Sequence, residues 1–302
     1  MIKYIKRKDI DLKKYDACIE NSIQSRIYAF SWYLDIVADN WDVFVLDDYD
    51  AVMPMPFRKK ARIKYIYPPF WTLELGVFSL DNNIDYFIFF DKLKNHFKYA
   101  ESRLNTANFI EKSNAFLLEK QMQILSINDN YETIYKAYRK DRRKDLKKAP
   151  RSYLIEKWND KSTNLIHLFK ENVGKRTPNI IEKDYQNLEK IIKVCIDKRV
   201  GEILSIYDKN NHLVASGFFL KHKKEVTILV SSTDFKNRNN GASTFLIDRA
   251  IYKYQTNNTI FHFGGSSMKN IANYFLSFGA ETKKYYQLKY NNLPLFLKFF
   301  KK

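Results

Sequence analysis

Arg238-Asn239-Asn240-Gly241-Ala242-Ser243 lies between an apolar run, Val226–Val230, and a segment in which Leu246, Ile247, Ala250, Ile251 and Tyr254 recur at helical spacing. The run reads as a buried strand and the segment, Gly241–Tyr254, as a helix packed on it. A polar loop, Ser231–Asn240, joins them. A strand, a loop and a helix in that order aim the helix's first free N–H groups at one spot, and the helix dipole favours an anion there. Gly241 and Ala242 leave room for an anion to approach the backbone, and Arg238 adds charge. The same residues also fit an ordinary helix start capped by Asn240.

The chain has 302 residues, which predicts two domains. Hydrophobic residues make up 45% and aromatic residues 16%, enough for large cores and incompatible with wholesale disorder. Lys and Arg total 52 against 34 Asp and Glu, a formal net charge of +18, which points to a polyanionic partner. Two cysteines, Cys18 and Cys195, make no disulfide framework, and five scattered histidines without metal-ligand spacing predict no metal site. The basic opening, Met1–Lys8, has no apolar core behind it and predicts no signal peptide. No uncharged apolar run approaches a membrane span, so a cytoplasmic protein is expected. Of the eight glycines only Gly76 lies in the first half, so a loop that brings backbone close to a ligand is expected in the second.

In the first half the pattern predicts helices near Tyr15–Ser22 and Phe30–Ala38, then strands Asp42–Leu46, Ala51–Phe57 and Ile63–Tyr67. Pro54 and Pro56 make the second of these an edge or bulged strand. A helix near Ile84–Asn95, strand Lys98–Leu104, a short helix and strand Gln121–Ile127 follow. The second half predicts one long helix, Tyr131–Ala149, then helices Asn164–Glu171 and Asp184–Lys198. A hairpin about Asp208–Asn211, the strand and helix above, strand Thr259–Phe263, helix Asn270–Phe278 and strand Tyr285–Tyr290 complete it. Both halves share the order helices, three strands, helix, strand, helix, strand.

The loop resembles the acyl-donor loop of the GNAT-type N-acyltransferase superfamily, patterned Arg/Gln-x-x-Gly-x-Gly/Ala. Arg238 and Gly241 match and Ser243 departs at the last position. Thr259–Phe263 and Asn270–Ala280 resemble that superfamily's next strand and helix. Trp41–Phe57, Pro68-Pro69-Phe70, Tyr138–Ala149 and Phe261–Ala280 together are similar to the double-GNAT group that includes the FemABX peptidyl transferases. The resemblance implies an α/β (α+β) fold of two tandem GNAT-like units, with mixed, mostly antiparallel sheets flanked by helices. The expected boundaries are 1–128 for a unit without a donor loop and 129–290 for a unit with one. The tail, 291–302, is expected to dock on the first unit or to touch a membrane.

What the resemblance implies for function is acyl transfer to an amine of a small molecule or cell-envelope precursor. The expected donor is acyl-CoA, with acetyl as the acyl group, and no metal. Aminoacyl-tRNA is the alternative donor, and a catalytically inactive binding module is a third reading. The donor arm would add to a strand edge at Val230, Ser231 and Ser232, with its phosphates on Arg238, Asn239, Asn240, Gly241, Ala242 and Ser243 and with Asn270 opening the next helix. In this superfamily a tyrosine often stands where Phe275 stands here, as acid for the leaving thiolate; the neighbouring Tyr274, a turn of about 100° away, is expected to face elsewhere and is kept as a substrate-binding candidate.

Other candidates come from the residues alone. From Lys136 to Arg151 the chain carries nine cations, opposed by Asp141 and Asp145. Arg142 falls in line with Tyr138 and Leu146 on the apolar stripe, so it is expected either to face a cleft and bind a phosphate or carboxylate, or to form a structural salt bridge. Lys175 and Arg176 in a loop, or Arg58-Lys59-Lys60, are further sites for an anionic acceptor or tRNA. His262 and Asp234, beside the proposed gap, are the candidate bases. No Walker loop or Ser/His/Asp grouping is present, which argues against an ATPase or hydrolase.

Overall fold

The computed structural model describes residues 1–60, 62–108, 116–255, 259–264, 268–294 and 298, with Asn237 and Arg238 described by backbone alone. Contacts divide the chain into two compact units, Met1–Lys120 with Lys284–Lys302, and Gln121–Lys283. The divisions at 120/121 and 283/284 lie inside strands, whereas the sequence reading put them at 128/129 and 290/291. Most of the tail read as 291–302 lies outside the described residues.

The first unit opens with β1 (Ile2–Lys6), α1 (Leu12–Asn21), α2 (Ser31–Val37), β2 (Trp41–Leu46), β3 (Ala51–Lys60) and β4 (Ile63–Ile66). These strands form an antiparallel sheet in the order β1-β2-β3-β4, and β5 (Phe78–Ser79) pairs with the start of β3. Pro54 and Pro56 face Val43 and Trp41 of β2. β4 joins the far side of β3 only from Phe57, so neither proline interrupts a ladder on two sides. α3 (Phe87–His96) lays Phe89, Phe90 and Leu93 into a core with Phe44, Met53, Met55 and Phe97. β6 (Tyr99–Arg103) follows, and β7 (Leu117–Ser126) carries the chain into the second unit. The short helix expected before β7 falls mostly on residues outside those described.

The second unit contains α4 (Tyr131–Ala137), α5 (Lys140–Leu146), α6 (Lys148–Arg151), β8 (Ile155–Trp158), α7 (Ser162–Glu171), α8 (Glu182–Asp197), β9 (Gly201–Tyr207), β10 (Leu213–His222) and β11 (Glu225–Thr233). α9 (Ala242–Tyr254), β12 (Ile260–His262), α10 (Lys269–Leu276) and β13 (Glu281–Asn291) follow. β13 returns the chain to the first unit, where it pairs with β6. The second unit's strands run β7-β12-β11-β10-β9-β8. Of these pairs only β11–β12 is parallel among the described residues. Ala250, Ile251, Phe219 and Phe261 are fully buried where α9 crosses this sheet.

Two expectations need correction. The long helix Tyr131–Ala149 is broken into α4, α5 and α6. Tyr138 and Arg139 are extended (φ −62°, ψ 136° and φ −59°, ψ 149°), and the Arg139 amide donates to Ser277 O at 2.9 Å instead of continuing the helix. Burial of Tyr138 edge-on against Phe278, with centroids 5.2 Å apart, accompanies the break. Arg142 therefore leaves the stripe that holds Tyr138. The second correction is that β1 and β8 went unread. β1 opens the first unit and β8 follows α6 in the second; each stands before two helices and pairs antiparallel with the next strand, so the shared order of the halves begins one strand earlier.

Cys18 and Cys195 are free and buried, and burial pushes both thiols up to about 12. The native protein should therefore react with a thiol reagent at least ~10-fold more slowly than the chain in denaturant, as a colorimetric thiol assay reads directly. No helix among the described residues is long and apolar enough to cross a membrane.

Candidate functional site

β11 pairs with β10 from Glu225 to Thr233, with Leu229 bulged out where Phe218 meets Val230 and Phe219 meets Ile228. On its other side it pairs with β12 for three residues only, Glu225 to Thr227. β12 ends at His262 while β11 runs on, so from Ile228 to Thr233 that side of β11 has no strand partner among the described residues. A free strand edge of this kind accepts an extended ligand by backbone hydrogen bonding.

The chain leaves β11 through a 3-10 turn, Phe235–Asn240, which Asp234 caps by accepting from Lys236 N at 3.0 Å. Asn240 Oδ1 accepts from Ala242 N at 2.9 Å, satisfying one free amide of α9. The N–H groups of Ser243 and Thr244, in the first turn, have no partner within the helix by its geometry. Gly241, between the turn and α9, is left-handed, with φ 83° and ψ 4°. A Cβ there would lie 2.7 Å from the carbonyl oxygen of Asp145, so glycine is needed both for the backbone conformation and for the approach of α5.

A cavity of about 540 Å³ opens here, between the end of β11 and the first turn of α9. Ser231, Ser232 and Thr233 line it from β11, and Asn239, Gly241, Ser243 and Thr244 from the loop and helix. Arg142, Asp145 and Lys148 border it from α5 and α6, and Asn270, Ile271 and Tyr274 from α10. The Arg142 guanidinium donates from Nη1 to Thr244 Oγ1 at 2.5 Å and to Asp145 Oδ2 at 3.1 Å. Thr244 Oγ1 in turn donates to Asp145 Oδ2 at 2.6 Å, and Lys148 Nζ lies 2.7 Å from Asp145 Oδ1. Burial would raise the Asp145 carboxyl, but hydrogen bonds from Lys148 and Thr244 and the charge of Arg142 hold it below its ordinary value. The guanidinium also sits 4.8 Å from the Tyr274 ring centroid.

Tyr274 reverses the expectation that it faces elsewhere. Its hydroxyl lies 2.9 Å from Ser243 Oγ and lines the cavity, while Phe275 stacks on Phe263 at 4.9 Å. Burial raises the Tyr274 hydroxyl above its ordinary value, against the hydrogen bonds of Ser243 and Thr244, so it stays protonated at neutral pH. Asn270, Ile271 and Tyr274 share the cavity side of α10, and helical spacing alone does not single that side out from the one Phe275 takes against Phe263.

Of the other sequence candidates, Val230 is buried on β11 and Ala242 is buried in the first turn of α9. Ser231 is exposed, whereas Ser232 Oγ donates to Leu168 O at 3.2 Å. The Arg238 side chain lies outside what is described. Lys175 pairs with Glu171 at 2.6 Å and Arg176 stacks on Phe235 at 4.3 Å, and neither lines the cavity. Neither candidate base lines it either. Asp234 caps the turn, and His262 is buried in the sheet, its Nδ1 accepting from Gly264 N at 2.9 Å and its Nε2 2.9 Å from Met122 Sδ. Asp145, Lys148 and Thr244 were missed. Asp145 stands three residues from both Arg142 and Lys148, a spacing that joins them on a helix surface.

No protein-family model matches the sequence, and no curated protein matches it. Solved structures do match. The chain is similar to FemX, with 10% identity, 99% of this chain and 100% of that chain covered, and a TM-score of 0.66. It is similar to a tandem GNAT protein from the clavulanic acid biosynthesis pathway, with 7% identity, 97% and 99% covered, and a TM-score of 0.56. L-PGS from Bacillus licheniformis aligns at 14% identity over 96% and 95%, with a TM-score of 0.55. At these identities the likeness establishes the fold: two tandem GNAT-like units of mixed, mostly antiparallel sheets, the fold of FemX and of the tandem GNAT protein.

Proposed function

We propose that this chain is an N-acyltransferase that passes an acyl group, with acetyl as the first choice, from acyl-CoA to an amine of a small molecule or cell-envelope precursor. The parting of β11 from β12 beside the first turn of α9 carries the reading. The free edge of β11 suits the amide-bearing arm of the donor, and the N–H groups of Ser243 and Thr244 suit its diphosphate. In the reaction the amine nitrogen forms a bond to the acyl carbon, the carbon–sulfur bond breaks, and the amine's surplus proton is lost while the thiolate takes one up. Backbone N–H groups of the β11 edge near Val230–Ser232 are the donors proposed for the developing oxyanion. With Asp234 and His262 committed to the fold, the amine enters already deprotonated or loses its proton through water.

Aminoacyl-tRNA is the second reading for the donor. It is favoured by the formal charge of +18 and by Lys140, Lys144, Lys147 and Arg151, which are exposed along α5 and α6. An RNA donor would lose affinity steeply as salt rises, because phosphate contacts release counterions. Calorimetric titration with acetyl-CoA, beside a Gly241→Asp variant, tests the first reading. Saturable binding that the variant loses supports it, and no binding by folded protein sinks it. Binding of aminoacyl-tRNA with a steep salt slope would then establish the second. Tight binding of either donor without transfer to any amine would mark a binding module.

A further inference from the structure

Both described cations that line the cavity are held by one carboxylate of the protein itself, Asp145, with Asp141 a looser partner of Arg142 at 3.8 Å. Asp145 accepts from Arg142 and Thr244 on Oδ2 and meets Lys148 on Oδ1, at 3.1, 2.6 and 2.7 Å. Its side chain is only 20% exposed, and it stands against the first turn of α9, where the carbonyl of the same residue meets Gly241. The carboxylate thus takes the hydroxyl of Thr244 and the charge of Arg142, two groups that an anion seated on the turn would use. The Arg142 guanidinium is nevertheless under-used: its Nε is buried and has no hydrogen-bond partner. A monodentate carboxylate leaves that fork half-filled, whereas a phosphate, with more acceptor oxygens, fills it.

We propose that Asp145 is an internal stand-in for the donor's phosphate. It holds Arg142, Lys148 and Thr244 in place while the cavity is empty, and an entering diphosphate displaces it from Arg142 and Thr244. The inference deepens the donor reading above and rests on it for the identity of the anion. It makes Asp145 a specificity-determining residue. Its negative charge opposes any weakly held anion, so only a ligand that adds contacts along the β11 edge to those of its phosphates overcomes the competition.

The test measures affinity by calorimetry, with inorganic pyrophosphate and acetyl-CoA as separate probes, on the full chain and on Asp145→Asn and Asp145→Ala. Removing the competing charge is expected to tighten pyrophosphate binding by ~10-fold, although both variants lose an ion pair. A residue with a purely structural role would give equal or weaker binding, and that result overturns the inference. Pyrophosphate binding that tightens without any acetyl-CoA binding keeps the Asp145 inference and sinks the acyl-CoA reading. Acetyl-CoA binding that is unchanged or weakened in Asp145→Asn does the reverse. No pyrophosphate binding by any of the proteins overturns the inference. Should both variants fail to fold, the carboxylate carbon of Asp145 in the unmodified protein reports instead by NMR. Its signal must move when pyrophosphate saturates the site, and a fixed signal counts against displacement.

Discussion

Gly241→Ala is expected to lower the unfolding free energy of the second unit by about 2–4 kcal/mol and to abolish donor binding. An L-residue held at left-handed φ costs roughly 1–2 kcal/mol, and Gly241 sits at φ 83°. The added Cβ would also lie 2.7 Å from the carbonyl oxygen of Asp145, a backbone atom that cannot swing aside as a side chain does. Either α5 and α6 retreat or the start of α9 moves. Each alternative disturbs the arrangement of Arg142, Thr244 and the first-turn amides. For a unit of this size the loss corresponds to a fall of roughly 5–10 °C in Tm, readable by calorimetry alongside the acetyl-CoA titration. Asn239→Ala, at the exposed neighbouring position, is the control and should stay within about 0.5 kcal/mol of the parent. A Gly241→Ala protein as stable as the control would mean that the contact with Asp145 yields easily.

Asp248 on α9 should make the second unit lose stability as pH rises through the acid range. Its carboxylate is buried and accepts from the Tyr131 hydroxyl at 2.6 Å, and the Tyr138 hydroxyl faces it outside good hydrogen-bond geometry. Burial raises the Asp248 carboxyl above its ordinary value, more than the Tyr131 hydrogen bond and the facing Tyr138 hydroxyl lower it. Between the ordinary aspartate value, about 3.9, and the raised native value, the folded state holds a proton that the unfolded state has released. Stability therefore falls with rising pH across that window and is level above it. Asp248→Asn keeps an acceptor for Tyr131 and removes the charge, so its stability relative to the parent should climb through the same window. Asp248→Ala leaves the Tyr131 hydroxyl without its acceptor and should be about 1–3 kcal/mol less stable than the Asn variant. Denaturant melts from pH 4 to 7 decide the matter. Parent and Asn variant moving in parallel would show that folding does not raise the Asp248 carboxyl above its unfolded value.

Where local chemistry decides, the chain was legible from its residues. The apolar run of β11, the stripe of α9 and Gly241 between them identified the strand, the helix and the loop, because alternation, helical spacing and the need for positive φ are properties of neighbours in sequence. The repeated order of elements and the proline-limited pairing of β3 were legible for the same reason. Tertiary contact alone decided the break at Tyr138 and Arg139, whose spacing is helical but whose burial against Phe278 and amide bond to Ser277 outweigh it. It also decided which face of α10 looks into the cavity, since Tyr274 and Phe275 differ only in what lies beside them. Thr244 meets Asp145 and Arg142 across about a hundred residues of chain, and no local spacing records such a meeting. His262 and Asp234 held the right chemistry for a base, but neither lines the cavity: His262 is buried in the sheet and Asp234 caps the turn.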